Sequence, residues 1–498
     1  MVLETGKKFA VVESTTAPEL LDIPGVDRTD GPTPGAFEAV YYDTPMMDLA
    51  ARRIVLRCRT GGAHPGWQVK LPAGPDGTRK VHAAQGRPGT VPWVLADELL
   101  VHTRGHDLIP IATTTTLRNT RKIYGQDGVH LADFVDDLVS AQALQPAQPP
   151  VRWREWEIKL IHGTAGFFDD AGEALTQTGA HPSGHGSRLA QALGESWPRA
   201  HDTSVAIPRK DGPVSEVVIA YLGEQFNELV RLDPGVRQQL PDALHRFRAA
   251  THRIRSVLET YRKTFDNDAV KRLTAELKWL ARILGKTRDT EVIRDRLDHA
   301  RPDPEIASTI LPIEQELGTL YNAGYELVLK ALHSPRYFRL LDDLESFQDH
   351  PPTSPRASRP AREVSAGIVN RTVKELNHAH KALRRSARHN SHDAALHGVR
   401  KAARRLRHVA EAASTVHGKR ATELARTAET IQKILGEHHD SVIAQSVLRR
   451  HIDDKTLPKG TKRAYLKLLA VEERRAAAAE ADYFRVRRHL GKTRLKPR

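Results

Sequence analysis

The sequence predicts an α+β chain of two unlike halves, an antiparallel β domain followed by an all-helical one. Three observations predict it. Up to about residue 200, short segments alternate polar and apolar residues with a period of two, as strands with unlike faces do. After residue 213 the apolar spacing becomes that of helices. Within the helical half, one basic stretch occurs twice, which marks an internal duplication.

The strand-like segments come first. Residues 4–11 open the set and 36–44 follow, with Phe37, Ala39 and Tyr41 in alternation. Residues 54–59 and 66–71 read as a hairpin across a Gly-rich turn. Residues 115–121, 129–135 and 153–160 continue the series, and short helices are expected at 92–101, 165–178 and 187–195. Polar residues on one alternating face of many antiparallel strands suggest a closed sheet with a wet, charged interior.

Charge divides the chain sharply. Residues 1–213 hold 22 Lys+Arg against 25 Asp+Glu, whereas residues 214–498 hold 54 against 36, so the basic excess of +18 belongs to the helical half. A polyanionic partner is implied there: nucleic acid, acidic membrane or polyphosphate. One cysteine, Cys58, excludes an internal disulfide and fits a reducing compartment. With no signal-like N-terminus and no long apolar run, a cytoplasmic protein without membrane attachment is expected.

The repeated stretch is 244–255, with a second copy at 396–407. Wound at about 100° per residue, positions 0, +3, +7 and +10 fall within an arc of roughly 80°. Those positions are His245, Arg248, His252 and Arg255, then His397, Arg400, Arg404 and Arg407. Leu244, Phe247 and Ile254 occupy the opposite side, as do Leu396, Val399 and Leu406, so each copy is an amphipathic helix with a cationic stripe. A Leu-Gly-x-x-x-Asp run follows each stripe, at 284–289 and at 435–440. Flanking cations and histidines complete the candidate anion-binding set: Arg253, Arg262, Lys278, Arg282, Lys286 and Arg288 in the first copy, and Lys401, Arg405, Lys433, His438 and His439 in the second.

The cationic arc carries no aromatic residue. Nucleic-acid binders interleave stacking platforms or base-reading groups, so a chain of bare phosphates is the favoured ligand and nucleic acid the lesser one. Histidines amid arginines make a poor cation site, so phosphate hydrogen bonding is the preferred role for them.

In the β half, Arg57 and Arg59 share one face of a strand, Lys70 on the partner strand can join them, and Glu155 and Glu157 share a face of a later strand. Several cations beside a small carboxylate cluster suit a triphosphate carrying Mg²⁺ or Mn²⁺. Cross-strand salt bridges on an exposed face are the other reading of the same pattern.

Taken together, residues 42–45 (Tyr-Asp-Thr-Pro), 56–62, 66–72 and 153–160 resemble the CYTH domain of triphosphate tunnel metalloenzymes over roughly residues 1–197. That resemblance implies an eight-stranded antiparallel tunnel that hydrolyses or cyclises triphosphates. It assigns phosphate contacts to Lys8, Arg57, Arg59, Lys70, Arg118, Arg121 and Arg188, and metal to Glu4, Glu155 and Glu157, with no catalytic residue singled out. Gly6 stands where the family's Glu-x-Glu-x-Lys has its second acid. A metal-dependent triphosphatase and a binding protein with a degraded tunnel therefore both stay open. The duplicated helical half resembles the CHAD domain over roughly 214–490. That implies two four-helix bundles related by a pseudo-two-fold axis around a groove for inorganic polyphosphate, with polyphosphate granules as an expected location. The expected division is a tunnel domain at 1–200, a linker at 201–213, helical copies at 214–350 and 363–490, and a mobile connection at 351–362.

Overall fold

A computed structural model describes residues 6–62, 65–72, 80–83, 88–184, 186–201, 207–299, 309–386, 392–454, 457–488 and 494–496. The chain forms two compact units, Met1–Asp202 and Thr203–Arg498.

The first unit is one antiparallel sheet. Its strands are β1 (Gly6–Val11), β2 (Arg28–Thr29), β3 (Thr33–Asp43), β4 (Val55–Gly61), β5 (Gly66–Lys70), β6 (Lys80–Ala83), β7 (Ile109–Tyr124), β8 (His130–Ala143), β9 (Val151–Leu160) and β10 (His181–Pro182). The order is β10-β1-β9-β8-β7-β3-β4-β5-β6, with β2 paired to β7. Two of the ten strands are two-residue pairings, which leaves the eight principal strands of a tunnel sheet. The β4–β5 hairpin is present, and its turn needs glycine. Gly61 has φ +77°, and a Cβ there would lie 2.9 Å from the Ala36 carbonyl oxygen.

The sheet is apolar outside and polar inside. Helix α3 (Ala165–Gln177) covers Phe9, Ile123, Phe134, Trp156 and Ile158. Helices α1 (Asp48–Ala51) and α2 (Trp93–Thr103) cover Leu56, Cys58, Trp67 and Val69. Helix α4 (Arg188–Leu193) plugs one end of the interior, packing Leu189 and Leu193 against Tyr41, Val55 and Ile111. The buried Asp43 carboxylate fixes α1 by accepting the backbone N–H groups of Thr44, Leu49 and Ala50 at 2.7–2.9 Å.

The second unit is helical among its described residues. The first copy holds α5 (Val214–Arg237), α6 (Ala243–Thr260), α7 (Asn267–Asp298) and α8 (Leu311–Leu332), with an additional α9 (Pro335–Asp349). The second holds α10 (Ala361–Ser386), α11 (His392–His417), α12 (Lys419–Ile452) and α13 (Lys459–Arg487). Stripe helix α6 buries Leu244, Phe247, Ile254, Val257 and Leu258, and α11 buries Leu396, Val399, Leu406 and Val409. The copies pack α5 on α10, α6 on α11 and α7 on α12. Ile293, Leu297 and Ile313 of the first copy share one core with Leu448, Tyr465 and Leu468 of the second.

The connection at 351–362 is not the mobile loop its Pro/Ser/Arg composition suggests. Asp266 N donates to Pro352 O at 2.7 Å, Ser354 N to Thr264 O at 3.0 Å, and Val214 N to Arg359 O at 2.9 Å. Backbone pairing with the first copy holds a segment that has few apolar anchors.

Candidate functional site

Strand register builds the interior of the sheet. Pairing aligns Lys8 with Glu157 and Val135, then Asp137 with both Glu155 and Arg118. It aligns Tyr41 with Arg57 and Arg57 with Gln68, Ala39 with Arg59, and Val55 with Lys70. Paired residues point to the same side of a sheet, so all these side chains share one face. Seven cations meet there, Lys8, Arg57, Arg59, Lys70, Arg118, Lys159 and Arg188, beside the carboxylates Asp137, Glu155 and Glu157.

Arg188 is the hub. Its guanidinium donates to Glu155 Oε1 at 2.8 and 2.9 Å, to Thr116 Oγ1 at 3.3 Å and to Asp137 Oδ2. Arg118 grips Asp137 with two bonds of 2.6 and 2.7 Å. Glu155 also accepts from Lys8 at 3.2 Å and from the Trp153 indole at 3.0 Å. Burial would push Glu155 up, but Arg188 and Lys8 outweigh it and hold the carboxyl down at about 2.

Other cations lack such partners. Arg59 lies 4.4 Å above the Phe37 ring, and its buried Nε has no hydrogen-bond partner. Burial, then Arg57, Arg118 and Arg188, lowers its affinity for a proton. Burial, then Arg57 and Lys8, lowers Lys70 to about 7. An anion in the lumen would relieve both.

The carboxylates are engaged differently from the metal site the sequence suggests. Glu155 is saturated by cationic donors, and Glu157 has Lys159 at 3.8 Å. Among the described residues no group of three metal-ligating side chains occurs, and Glu4 lies outside them. The described carboxylates do not fit a resident divalent ion. Arg121 also departs from expectation. Three residues from Arg118 on a regular strand, it pairs with Phe134 on the opposite face, away from the lumen.

In the helical unit, α6 and α11 bring their stripes face to face. Arg248 lies within electrostatic range of Asp289, Arg400, Arg288 and Asp440, and Arg400 within range of Asp440 and Asp289. The arrangement is pseudo-symmetric. A Cβ at Gly285 would sit 3.7 Å from Arg248 Nη2, and one at Gly436 would sit 3.8 Å from Arg400 Nε. Each glycine of the Leu-Gly-x-x-x-Asp run thus lets a stripe arginine lie flat on the neighbouring helix. Burial, then Arg404, Arg248, Arg255 and Arg400, lowers His252 to about 2. Burial, then Arg400, Arg248 and Arg255, lowers Arg404 to about 10. Among the described residues the buried Nε atoms of Arg248 and Arg400 and the Nε2 of His252 have no hydrogen-bond partner, and the Nε of Arg255 is ion-paired with Glu259 at 3.6 Å. Converging arginine donors left without a hydrogen bond are the feature a bound anion would satisfy.

The CHAD domain model matches residues 220–449. Uncharacterized proteins from two strains of Mycobacterium tuberculosis are 35% identical over 481 residues, covering 92% of this chain and 90% of theirs. This chain belongs to the CHAD-domain proteins. Among solved structures, the CHAD domain of Ricinus communis is 25% identical, with a TM-score of 0.47, covering 59% of this chain and 97% of that one. A Hippeastrum protein described as having a dominant triphosphatase activity is 13% identical, with a TM-score of 0.24, covering 39% of this chain and 96% of that one.

Not all of the expected set gathers in the space between the stripe helices α6 and α11. His439 faces it, with its ring 4.7 Å from that of His397, and burial, then Arg400, lowers it to about 4. His438 turns away, 6% exposed, with Asp393 at 3.8 Å. His245 sits at the mouth, where burial and Arg288 lower its pKa. Helical phase sets Lys278 and Arg282 on the Gly285 face of α7, and Lys286 about 100° round from it. Five others are held by acids: Arg253 near Glu411 (3.7 Å), Arg288 on Glu291 (2.7 Å), Arg405 on Glu375 (3.1 Å), Arg407 on Glu411 (2.6 Å) and Lys433 on Glu429 (3.0 Å). Lys401 is exposed beside His397. Arg262 belongs to a separate cavity at the end of α6. Sequence reading did not select Asp137, Lys159 or Gln68; Lys159 and Gln68 lie two residues from the selected Glu157 and Lys70 on the same strands, whereas Asp137 is on a strand with no selected residue.

Proposed function

We propose that the CHAD groove binds inorganic polyphosphate and that the β unit binds a triphosphate-containing small molecule. The convergent Nε donors of Arg248 and Arg400, without a hydrogen-bond partner among the described residues, carry the first reading. A polyphosphate presents acceptor oxygens at short regular intervals and no bases, and this groove offers cationic donors without Phe, Tyr or Trp platforms. Titrating the purified chain with long-chain polyphosphate, and with RNA of equal charge, tests it. Tighter binding to polyphosphate is expected, and equal or tighter binding to RNA overturns the reading.

In the tunnel, Arg57, Arg59, Lys70 and Arg188 contact phosphate oxygens, and Mg²⁺ or Mn²⁺ enters as part of the triphosphate complex. Gly6 in place of an acid and the engagement of Glu155 by Arg188, Lys8 and Trp153 favour binding over turnover. Binding of tripolyphosphate with little phosphate release is therefore expected with either ion. Rapid release would establish a triphosphatase instead.

A further inference from the structure

The duplication has left two equivalent cavities of opposite charge. Offsets of 152 residues relate α6 to α11, and aligning Glu228-Leu229 with Glu375-Leu376 relates α5 to α10. One cavity, of about 490 Å³, is lined by Glu224, Glu228, Arg253, Glu411 and Ser414. The other, of about 540 Å³, is lined at the equivalent places by Arg371, Glu375, Arg405, Glu259 and Arg262. Two substitutions invert the charge: Glu224 corresponds to Arg371, and Ser414 to Arg262. The segment joining the copies adds Arg356 and Arg359 to the second cavity alone, because a link between two copies can pass only one flank.

The cavities also differ in what is left unmatched. In the acidic one, burial and Glu411 raise the pKa of Glu224, so the site repels further negative charge. In the basic one, Arg262, Arg356 and Arg371 have no carboxylate partner among the described residues. Tyr261, 1% exposed, lines that cavity, and its buried hydroxyl has no hydrogen-bond partner among the described residues. The basic cavity adjoins the groove, since Glu259 on its wall lies 3.6 Å from the groove residue Arg255.

Resting on the groove reading above, we propose that a polyphosphate longer than the groove leaves it through the Arg262–Arg371 cavity and is repelled at the Glu224 flank. The bound chain is then polarised, with one extension subsite rather than two. Polyphosphate oxygens accept from the Arg262, Arg356 and Arg371 guanidiniums and from Tyr261 Oη, and nothing covalent is required.

The test uses the full chain and both short-chain and long-chain polyphosphate. Arg262→Glu with Arg371→Glu, at two exposed positions, is expected to weaken long-chain binding by roughly tenfold and to flatten its salt dependence, leaving short chains unaffected. Glu224→Arg should strengthen long-chain binding, a gain that misfolding cannot produce. Arg248→Ala with Arg400→Ala should weaken both lengths. Long-chain binding unchanged in the Arg262/Arg371 variant, or equal losses for both lengths, overturns the extension subsite. Loss in that variant with none in the Arg248/Arg400 variant overturns the groove reading instead.

Discussion

Replacing Arg404 by Met should make the free protein more stable and the polyphosphate complex weaker. Arg404 lies among Arg400, Arg248, Arg255 and Arg405, and burial with those neighbours lowers it to about 10 from 12.5. At about 1.4 kcal/mol per unit this is on the order of 3 kcal/mol of unfavourable charging. Arg404 is only partly buried, so water screens part of that cost and a gain of about 1–2 kcal/mol is expected. Methionine keeps the apolar stem, so packing is retained. For a unit of this size the melting temperature should rise by about 2–4 °C per kcal/mol. Binding should move the other way, because a charge-assisted contact to phosphate is worth roughly 1.5–3 kcal/mol, or about tenfold to a hundredfold in Kd. Scanning calorimetry of the free chain and titration calorimetry with polyphosphate read the two effects. A lower melting temperature, or an unchanged Kd, would refute the view that these cations are held against repulsion for an anion.

Lys70, at about 7 in the free protein, should be charged when a triphosphate is bound, so binding takes up a proton and strengthens as pH falls from 8 to 6. Titration in buffers of different ionisation enthalpy measures the uptake, which Lys70→Met should abolish. Gly6→Glu would set a Cβ 2.9 Å from Glu157 Oε1, a movable side-chain end, and place a second carboxylate beside it. Mn²⁺ affinity should rise, and an unchanged Mn²⁺ spectrum in a folded variant would sink the idea that Gly6 is the missing ligand position. His252 and His439, lowered to about 2 and about 4, leave the unfolded chain binding more protons below pH 6.5. Stability of the free protein should therefore decline as pH falls from 6.5 to 4, and bound polyphosphate should oppose the decline. Urea unfolding at pH 7 and pH 5, with and without the ligand, checks this. A His252→Gln/His439→Gln variant that retains the full pH dependence would exclude these two histidines as its source.

Periodicity carried much of this architecture. The stripes at 245–255 and 397–407 are helical, and their apolar sides are buried as drawn. The strands at 54–59, 66–71 and 153–160 lie within two residues of the observed ones at either end. What failed was non-local. The family resemblance groups Arg121 with Arg118, yet an odd offset on a strand places it on the other face. His438 and His439 are adjacent in sequence and lie on different sides of α12, and only the neighbouring helices decide which one reaches the groove. Asp43 belongs to a run that resembles a functional signature, but its carboxylate is spent on three backbone donors at the start of α1. The connection at 351–362 reads as a flexible linker because its anchors are backbone groups, which composition does not reveal.

The two sites satisfy their cations by different means, and the difference bears on what each can accept. In the sheet interior Asp137 and Glu155 neutralise Arg118, Arg188 and Lys8, so an incoming anion competes with carboxylates already in place. Such a site admits a ligand that also brings its own cation, as a metal–triphosphate complex does, since the metal can compensate the carboxylates that the phosphates displace. Between the stripe helices the acids are fewer than the stripe cations, and among the described residues the Nε atoms of Arg248 and Arg400 have no hydrogen-bond partner. A bare polyanion gains there without displacing an internal partner, and it releases its own counterions as it binds. Affinity of the groove should therefore fall steeply with salt. Triphosphate binding in the tunnel should respond less to salt and more to the concentration of Mg²⁺ or Mn²⁺, a contrast that parallel titrations on one preparation would expose.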